Sequence, residues 1–258
     1  MEYLDYFVVP NSRSMFSISK DFPDPRRAQP DGFLCAGGRM DADSLTQAYQ
    51  LGIFPWPNEN ADSIWWFSPR KRFVLTTDQF HLPKSLARTM RQHPFEIRVD
   101  TAFADVIQAC SNILRPVKEG QPGSPKKHST WLLPDMIPAY VELHKRGLAH
   151  SIEAYQNDQL VGGLYGVSVG ALFCGESMFR TVDDASKVAF ATFVPIARSF
   201  GIPLIDCQDF TNNLSRFGAS FMPQDVFLNQ LEELKNHPMD WKAIKAAVEA
   251  TNIEKQPQ

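Results

Sequence analysis

The chain has 258 residues, 43% of them apolar and 12% aromatic, with a formal net charge of −3. That is enough apolar side chain for one large core or two unequal ones. No apolar run reaches bilayer-spanning length, MEYLDYFVVP has no basic stretch leading into an apolar one, and Cys35, Cys110, Cys174 and Cys207 are scattered without a C-x-x-C pair. These features argue against a membrane span, a secretory leader, a disulfide framework and a zinc site, and favour reduced thiols in the cytoplasm. The small net charge conceals an asymmetry: residues 66–150 carry 13 Lys/Arg against 7 Asp/Glu, between two acidic flanks. A basic middle third draws a polyanion, most commonly nucleic acid, to one place; an unevenly charged solvated surface looks the same in sequence.

The first seventy residues are rich in Pro and aromatics, and FPDPRRAQPDGFLCAGGRM reads as an irregular loop with tight turns. LTQAYQLG reads as a short helix stopped at Gly52. Trp56, Trp65 and Trp66 follow in a linker-like stretch, then a strand at Arg72–Thr76. The composition shift near residue 70 marks the expected boundary between a small N-terminal domain (1–70) and a larger one (71–236). From Leu82, LPKSLARTMRQH is a helix with Pro83 in its first turn; Lys84, Arg88 and Arg91 share one face, and Leu82, Leu86 and Met90 tend toward another. FEIRVD is a strand, TAFADVIQACSNIL an amphipathic helix, RPVKEGQPGSPKKHS a basic loop, and PDMIPAYVELHKRG a helix stopped at Gly147.

HSIEAYQ and QLVGGLYGVSVGALFCGESMF read as antiparallel strands with a turn near Ser168–Gly170. Asp183 or Asp184 caps the helix ASKVAFATFVPIARSF, Gly201 ends it, and PLIDCQ is the next strand. A loop, the helix PQDVFLNQLEEL and an appended helical tail (237–258) complete an α+β chain with a mostly antiparallel sheet.

A carboxylate in an apolar strand is costly unless paired or used, and the chain has two: Glu176 and Asp206. Simple alternation puts Glu176 with Met178 on one face, and Asp206 with Gln208 on a face opposite Cys207. Together they suggest a site that handles a cation or a proton. Cys174 and Cys207 flank apolar strands and read as small buried hydrophobes rather than nucleophiles. Gly162–Gly166 is followed by strand residues, so it is no phosphate-cradling turn.

D-G-F-L-C-A-G-G (Asp31–Gly38), G-I-F-P-W (Gly52–Trp56), T-W (Thr130–Trp131), H-S-I-E (His150–Glu153), V-G-G-L-Y-G (Val161–Gly166), G-E-S-M-F (Gly175–Phe179), A-S-K (Ala185–Lys187) and I-D-C-Q (Ile205–Gln208) together, in this order, closely resemble the leucyl/phenylalanyl-tRNA–protein transferases. The resemblance runs from about residue 21 to about 233. It implies a small N-terminal domain plus an acetyltransferase-like (GNAT) C-terminal domain, acting in the cytoplasm as a monomer without metal or coenzyme and without a membrane. The implied reaction moves Leu or Phe from Leu-tRNA or Phe-tRNA to proteins beginning with Arg or Lys, giving N-degrons.

By the same resemblance Trp56 and Trp131, and Tyr140 beside them, form the site for the 3′ adenosine, on which flat indoles stack at about 1–3 kcal/mol per base. Leu164, Met178, Phe193 and Ile205 match the apolar pocket for the transferred side chain, although alternation points Ile205 away from Asp206. Lys84, Arg88 and Arg91 match the clamp for the acceptor stem, which Arg70, Lys71, Arg72, Lys126 and Lys127 would extend. Glu176, Asp206 and Gln208 match the catalytic residues; on physical grounds the two carboxylates would hold the acceptor's cationic groups while Gln208 aligns its amine.

The chain also departs from the family pattern. Arg39, Phe67, Arg70, Ala197, Asn213–Ala219 and the tail differ, and Arg180 brings a cation that on sequence distance alone would neutralise Glu176 or repel an N-terminal Arg. Two alternatives follow: an aminoacyltransferase with altered acceptor preference, and a non-catalytic module that binds tRNA or protein N-termini. An acyl-coenzyme A enzyme would need a Q/R-x-x-G-x-G/A turn, which the sequence lacks.

Overall fold

The computed structural model describes residues 6–10, 16–56, 63–92, 94–113, 132 and 134–253. Its N-terminal part is more regular than expected: the stretch read as an irregular loop does run through turns to residue 32, but Phe33–Gly37 within it is a strand. Strands β1 (Phe7–Pro10), β2 (Phe16–Ser19) and β3 (Phe33–Gly37), helix α1 (Ala42–Gln50), and strands β4 (Phe54–Trp56) and β5 (Trp65–Phe67) build a five-stranded antiparallel sheet in the order β2-β1-β3-β5-β4. Three to five residues are too few for alternation to declare a strand. Edge-on aromatic contacts tie them, with ring centroids 5.3 Å apart for Phe33–Trp65 and 5.7 Å for Phe33–Phe67. Asp41 caps α1 by accepting from the Ser44 N–H at 2.8 Å, and the helix gives way at Gly52, whose φ is +73°.

The second sheet uses β6 (Lys71–Thr76) and, after α2 (Lys84–Arg91), β7 (Glu96–Val99). Helices α3 (Phe103–Ser111) and α4 (Ile137–Lys145) lead to the long strands β8 (Ala149–Gln156), β9 (Gln159–Val169) and β10 (Leu172–Arg180). Helix α5 (Ala185–Ser199) crosses to β11 (Leu204–Gln208). The expected Asn/Ser/Gly loop instead holds a short helix, α6 (Asn212–Arg216), and an edge strand, β12 (Ser220–Pro223). Helices α7 (Gln224–Leu234) and α8 (Trp241–Ile253) end the described chain. The order is β12-β6-β11-β10-β9-β8-β7, and every neighbouring pair is antiparallel except β10–β11, which the α5 crossover makes parallel. The architecture is mixed α+β with mostly antiparallel sheets.

Alternation along these strands divides the interior. Leu172, Leu204 and Val74 belong to a core shared with the first sheet, α1, α3, α4 and α7, while Phe173, Ile205 and Leu75 belong to a core under α2, α5 and α8. The tail is therefore not an appendage, because Trp241, Ile244 and Val248 of α8 are buried in the second core. Two helix ends differ from the sequence reading. Helix α2 starts at Lys84 with Pro83 at its N-cap. Asp184 sits at the N-cap of α5 in the left-handed region and does not cap it; its carboxylate pairs with Lys187 at 2.8 Å.

The glycines of V-G-G-L-Y-G serve close packing. A Cβ on Gly166 would lie 2.3 Å from the Cys174 carbonyl, and one on Gly162 would lie 2.5 Å from the Ala185 Cβ. Neither backbone atom nor short side chain can swing aside, so Gly166→Ala is expected to cost about 1–3 kcal/mol of stability, measurable by urea denaturation. Unchanged stability would mean that β9 and β10 are less closely apposed.

Candidate active site

The parallel pairing of β10 with β11 runs from Leu172↔Leu204 to Cys174↔Asp206 and stops. At that point both strands bulge away from their outer neighbours, β10 between Gly175 and Ser177, β11 between Asp206 and Gln208. A bulge inserts an unpaired residue and re-aims the side chains around it. One consequence overturns the alternation argument for Glu176 and Met178. Glu176 turns to the first core and reaches Tyr140, whereas Met178, back in register opposite Leu164, packs against the second. Asp206 and Gln208 do share a face, with Cys207 in the second core.

The deepest element of the site is a buried ion pair. Asp206 has no exposed surface and Arg72 is 1% exposed. Arg72 Nη2 donates to Asp206 Oδ2 at 2.7 Å, and its Nε donates to Oδ1 at 2.9 Å. Arg72 Nη1 donates to the Gly52 carbonyl at 3.1 Å, and the guanidinium lies between the rings of Phe54 and Phe227, 4.5 and 4.6 Å from their centroids. Asp206 Oδ1 also accepts the Gln208 backbone N–H at 2.9 Å. Two sequence expectations fall here. Arg72 does not extend a surface patch, and Asp206, enclosed and engaged on both oxygens, does not reach out to an acceptor's cation. Its work is to hold Gln208, whose φ of +61° is the left-handed region that a non-glycine residue adopts at a cost of about 1–2 kcal/mol.

Held in that conformation, Gln208 donates through Nε2 to Glu176 Oε1 at 2.6 Å, which leaves its own amide oxygen as an acceptor. Tyr140 donates to Glu176 Oε2 at 3.4 Å, and the Tyr140 and Tyr49 hydroxyls share a hydrogen bond of 2.8 Å. Burial pushes the Glu176 carboxyl up to about 8, against the lowering effect of the Tyr49 hydrogen bond, with the nearby Asp206 charge raising it further. The same burial, followed by the Glu176 charge, raises both tyrosines well above their ordinary value. Glu176 is thus a carboxyl able to gain or lose a proton near neutrality.

Sequence reasoning missed Tyr49 and gave Arg72 the wrong role. The signal for Arg72 was present, since a cation heading the apolar strand RFVLT poses the same cost that singled out Glu176 and Asp206. Tyr49, buried on α1, has no such signal. Gly52 was read as a helix stop and Phe54 was quoted only within G-I-F-P-W, yet both hold Arg72. Trp56, two residues beyond Phe54, is half-buried, with Phe54 and Phe67 ring centroids each 6.2 Å away. Trp131, Lys126 and Lys127 lie outside the described residues. Tyr140 is completely buried, so in this structure its ring offers no face on which an adenine can stack, contrary to expectation.

Leu164, Phe193 and Ile205 are buried together in the second core and Met178 packs against it. Lys84, Arg88 and Arg91 are exposed on α2 and form no ion pair among the described residues. Arg180 turns to Asp183 at 3.5 Å and does not neutralise Glu176, because the strand carries the two apart. All four cysteines are buried; burial pushes the Cys35 thiol up to about 12 and raises Cys174 and Cys207 as well, so these three are not poised as nucleophiles. Among the described residues no group of His, Cys, Asp and Glu is placed to hold a metal ion, and no helix is long and apolar enough to cross a membrane.

Similarity to known proteins makes this chain an aminoacyltransferase. The family model for the leucyl/phenylalanyl-tRNA protein transferase matches residues 74–232, and that for the N-terminal domain of the same proteins matches residues 38–70. A leucyl/phenylalanyl-tRNA–protein transferase of Anaeromyxobacter sp. strain Fw109-5 is 45% identical over 217 residues, 84% of this chain and 88% of the relative. One of Myxococcus xanthus strain DK1622 is 47% identical over the same shares. The chain belongs to the leucyl/phenylalanyl-tRNA–protein transferase family. Among solved structures, a functionally unknown conserved protein of Staphylococcus epidermidis aligns with a TM-score of 0.34 and 12% identity, covering 74% of this chain and 68% of that one.

Removing one partner of a buried pair strands the other charge. Asp206→Ala is therefore expected to cost about 3–5 kcal/mol, read from urea melts, and to leave Gln208 without its tether. Glu176 predicts the opposite sign. Its folded value, about 8, lies above its unfolded value of 4.5, so the native state holds the extra proton and stability falls as pH rises from about 4.5 to about 8. Glu176→Gln should then raise the melting temperature more at pH 8.5 than at pH 5. An equal change at both would show that Glu176 titrates normally.

Proposed function

We propose that this aminoacyltransferase moves Leu or Phe from aminoacyl-tRNA to the α-amino group of proteins beginning with Arg or Lys, marking them as N-degrons. The observation that carries the reading is the Glu176–Gln208 pair at the split between β10 and β11, buried, hydrogen-bonded at 2.6 Å and held from behind by Arg72–Asp206. The names of the relatives support the donor and the protein acceptor. Arg180, engaged with Asp183, turns its cation away from Glu176 and so does not repel a basic N-terminal residue there, which supports the Arg/Lys preference over an altered one.

The reaction is aminolysis of an ester already activated on the tRNA, so positioning and proton handling are the protein's main tasks. The Gln208 amide oxygen accepts from the acceptor's amine and aligns it. Glu176 takes a proton from the α-ammonium, whose ordinary pKa of about 7.7–8.0 matches the raised carboxyl. The amine lone pair attacks the ester carbonyl, the bond from the carbonyl carbon to the ribose oxygen breaks, and that oxygen leaves with the amine's second proton. Asp206 acts as a positioning residue through Gln208. Trp56 and Trp131 stack on the terminal adenosine, and Lys84, Arg88 and Arg91 grip the acceptor stem. Leu164, Met178, Phe193 and Ile205 seat the transferred side chain; the polarisable Met lets one pocket serve both Leu and Phe. In the same reading residues 1–70 form one domain and residues 71–236, with α8 packed into their core, a second, acetyltransferase-like one, of a monomeric cytoplasmic enzyme that needs no cofactor.

Purified protein with charged Phe-tRNA or Leu-tRNA and peptides beginning with Arg, Lys, Asp or Ala tests the proposal. Transfer is expected to Arg and Lys alone, rising with pH to about 8 as Glu176 and the amine lose their protons, and levelling above it. Gln208→Ala and Glu176→Gln should each lower the single-turnover rate about 10²-fold or more. Full rate in Gln208→Ala with saturating substrates would sink the mechanism; retention of tRNA without transfer would identify a binding module instead.

A further inference from the structure

Helix α8 lies beyond the residues that the family model matches, yet its first residue is driven deep into the second core. The Trp241 indole stacks nearly parallel on the Phe193 ring, centroids 5.9 Å apart and planes at 16°, and lies tilted against Phe173 at 5.6 Å. Phe173 in turn meets Phe193 edge-on at 5.1 Å. On its other side Trp241 stacks on His150 at 3.7 Å and 8°, and its Nε1 donates to Ser168 Oγ at 3.1 Å. His150 is itself fixed by Asp100 at 2.7 Å and by the Gly147 carbonyl at 3.1 Å. The indole is therefore wedged between a pinned imidazole and Phe193.

The rest of α8 secures the wedge. Asn252 exchanges two hydrogen bonds with the backbone of Ile97 on the edge strand β7, at 2.9 and 2.7 Å, and Lys245 donates to the Val99 carbonyl at 2.6 Å. Ile244 and Val248 carry the buried stripe along the helix. So rigid a mount is more than an apolar helix needs to stay attached, and its one aromatic contact with α5 is with Phe193.

Resting on the pocket assigned above, we infer that Trp241 is a positioning residue for amino-acid selection: it fixes the Phe193 ring as the wall of the side-chain pocket and so limits the size of the transferred side chain. Dispersion contacts fall off steeply with a gap of under 1 Å, so a wall backed by a wedged indole does not yield as an unbacked one would. Shortening Trp241 lets Phe193 recede. The pocket then gains volume, bulky aromatic side chains enter, and Leu loses contacts.

The test compares transfer to one Arg-starting peptide from tRNA carrying Leu, Phe or 2-naphthylalanine, as kcat/KM for each. Trp241→Phe and Trp241→Leu are measured beside Val248→Ala, which loosens α8 two turns away, and Phe193→Leu, which alters the wall itself. Thermal melts confirm that each variant is folded, and Trp241→Phe keeps a ring for the case in which Trp241→Leu does not fold. The expected result is a naphthylalanine-to-Leu ratio that rises in the order wild type, Trp241→Phe, Trp241→Leu, reaching about tenfold or more, with Val248→Ala leaving it unchanged. Equal loss for all three donors in the Trp241 variants, while Phe193→Leu shifts the ratio, would overturn the inference and spare the pocket. No shift in any variant, Phe193→Leu included, would overturn both.

Discussion

A charge pair with almost no access to water, Arg72–Asp206, is the constraint on which the rest of the site depends. Taking both ions out of water costs several kcal/mol each, and such a pair persists only where its geometry is close and the remaining donors and acceptors are satisfied. Here they are. Two donors of Arg72 go to the carboxylate and one to the Gly52 carbonyl, the two ring faces of Phe54 and Phe227 enclose the guanidinium, and the leftover capacity of Asp206 takes the Gln208 N–H. Gly52 and Phe54 come from the N-terminal part, Phe227 from α7, Arg72 and Asp206 from neighbouring strands. The pair thereby joins elements far apart in sequence at the place where β10 and β11 part.

What the pair does for chemistry is indirect. Gln208 would not hold a left-handed backbone on its own, and without that turn its amide would not lie against Glu176. The carboxylate that looks available for substrate in sequence is consumed as scaffold. The one proposed to handle the proton is its neighbour Glu176, which burial above all, then the Asp206 charge, raises to about 8 against the lowering effect of its hydroxyl and amide partners. Two carboxylates on adjacent strands thus take different roles because one was given an arginine and the other was not.

Much of this was legible before any coordinates. The period-2 runs from Ala149 to Arg180 are long enough to declare themselves as strands, and the cationic face of α2 follows from helical spacing alone. The cost of a charge in an apolar strand flagged Glu176 and Asp206 together. Where reading failed, the failures share a cause. The N-terminal strands are too short to show a period, β12 is an edge of four residues, and the bulge at Glu176 breaks the alternation that placed it beside Met178.

The sequence by itself determined which residues are costly enough to need a purpose, the α+β class, and the family, through motifs that recur in fixed order. The tertiary structure alone decided how those residues are used: Asp206 buried against Arg72, Tyr140 closed off beneath Glu176, Arg180 turned to Asp183, and α8 driven into the core. The physical reason is that propensity and periodicity act over a few neighbouring residues. The partner that neutralises a charge, or the bulge that re-aims it, is chosen across long sequence separations by whichever groups the folded chain brings within hydrogen-bonding distance.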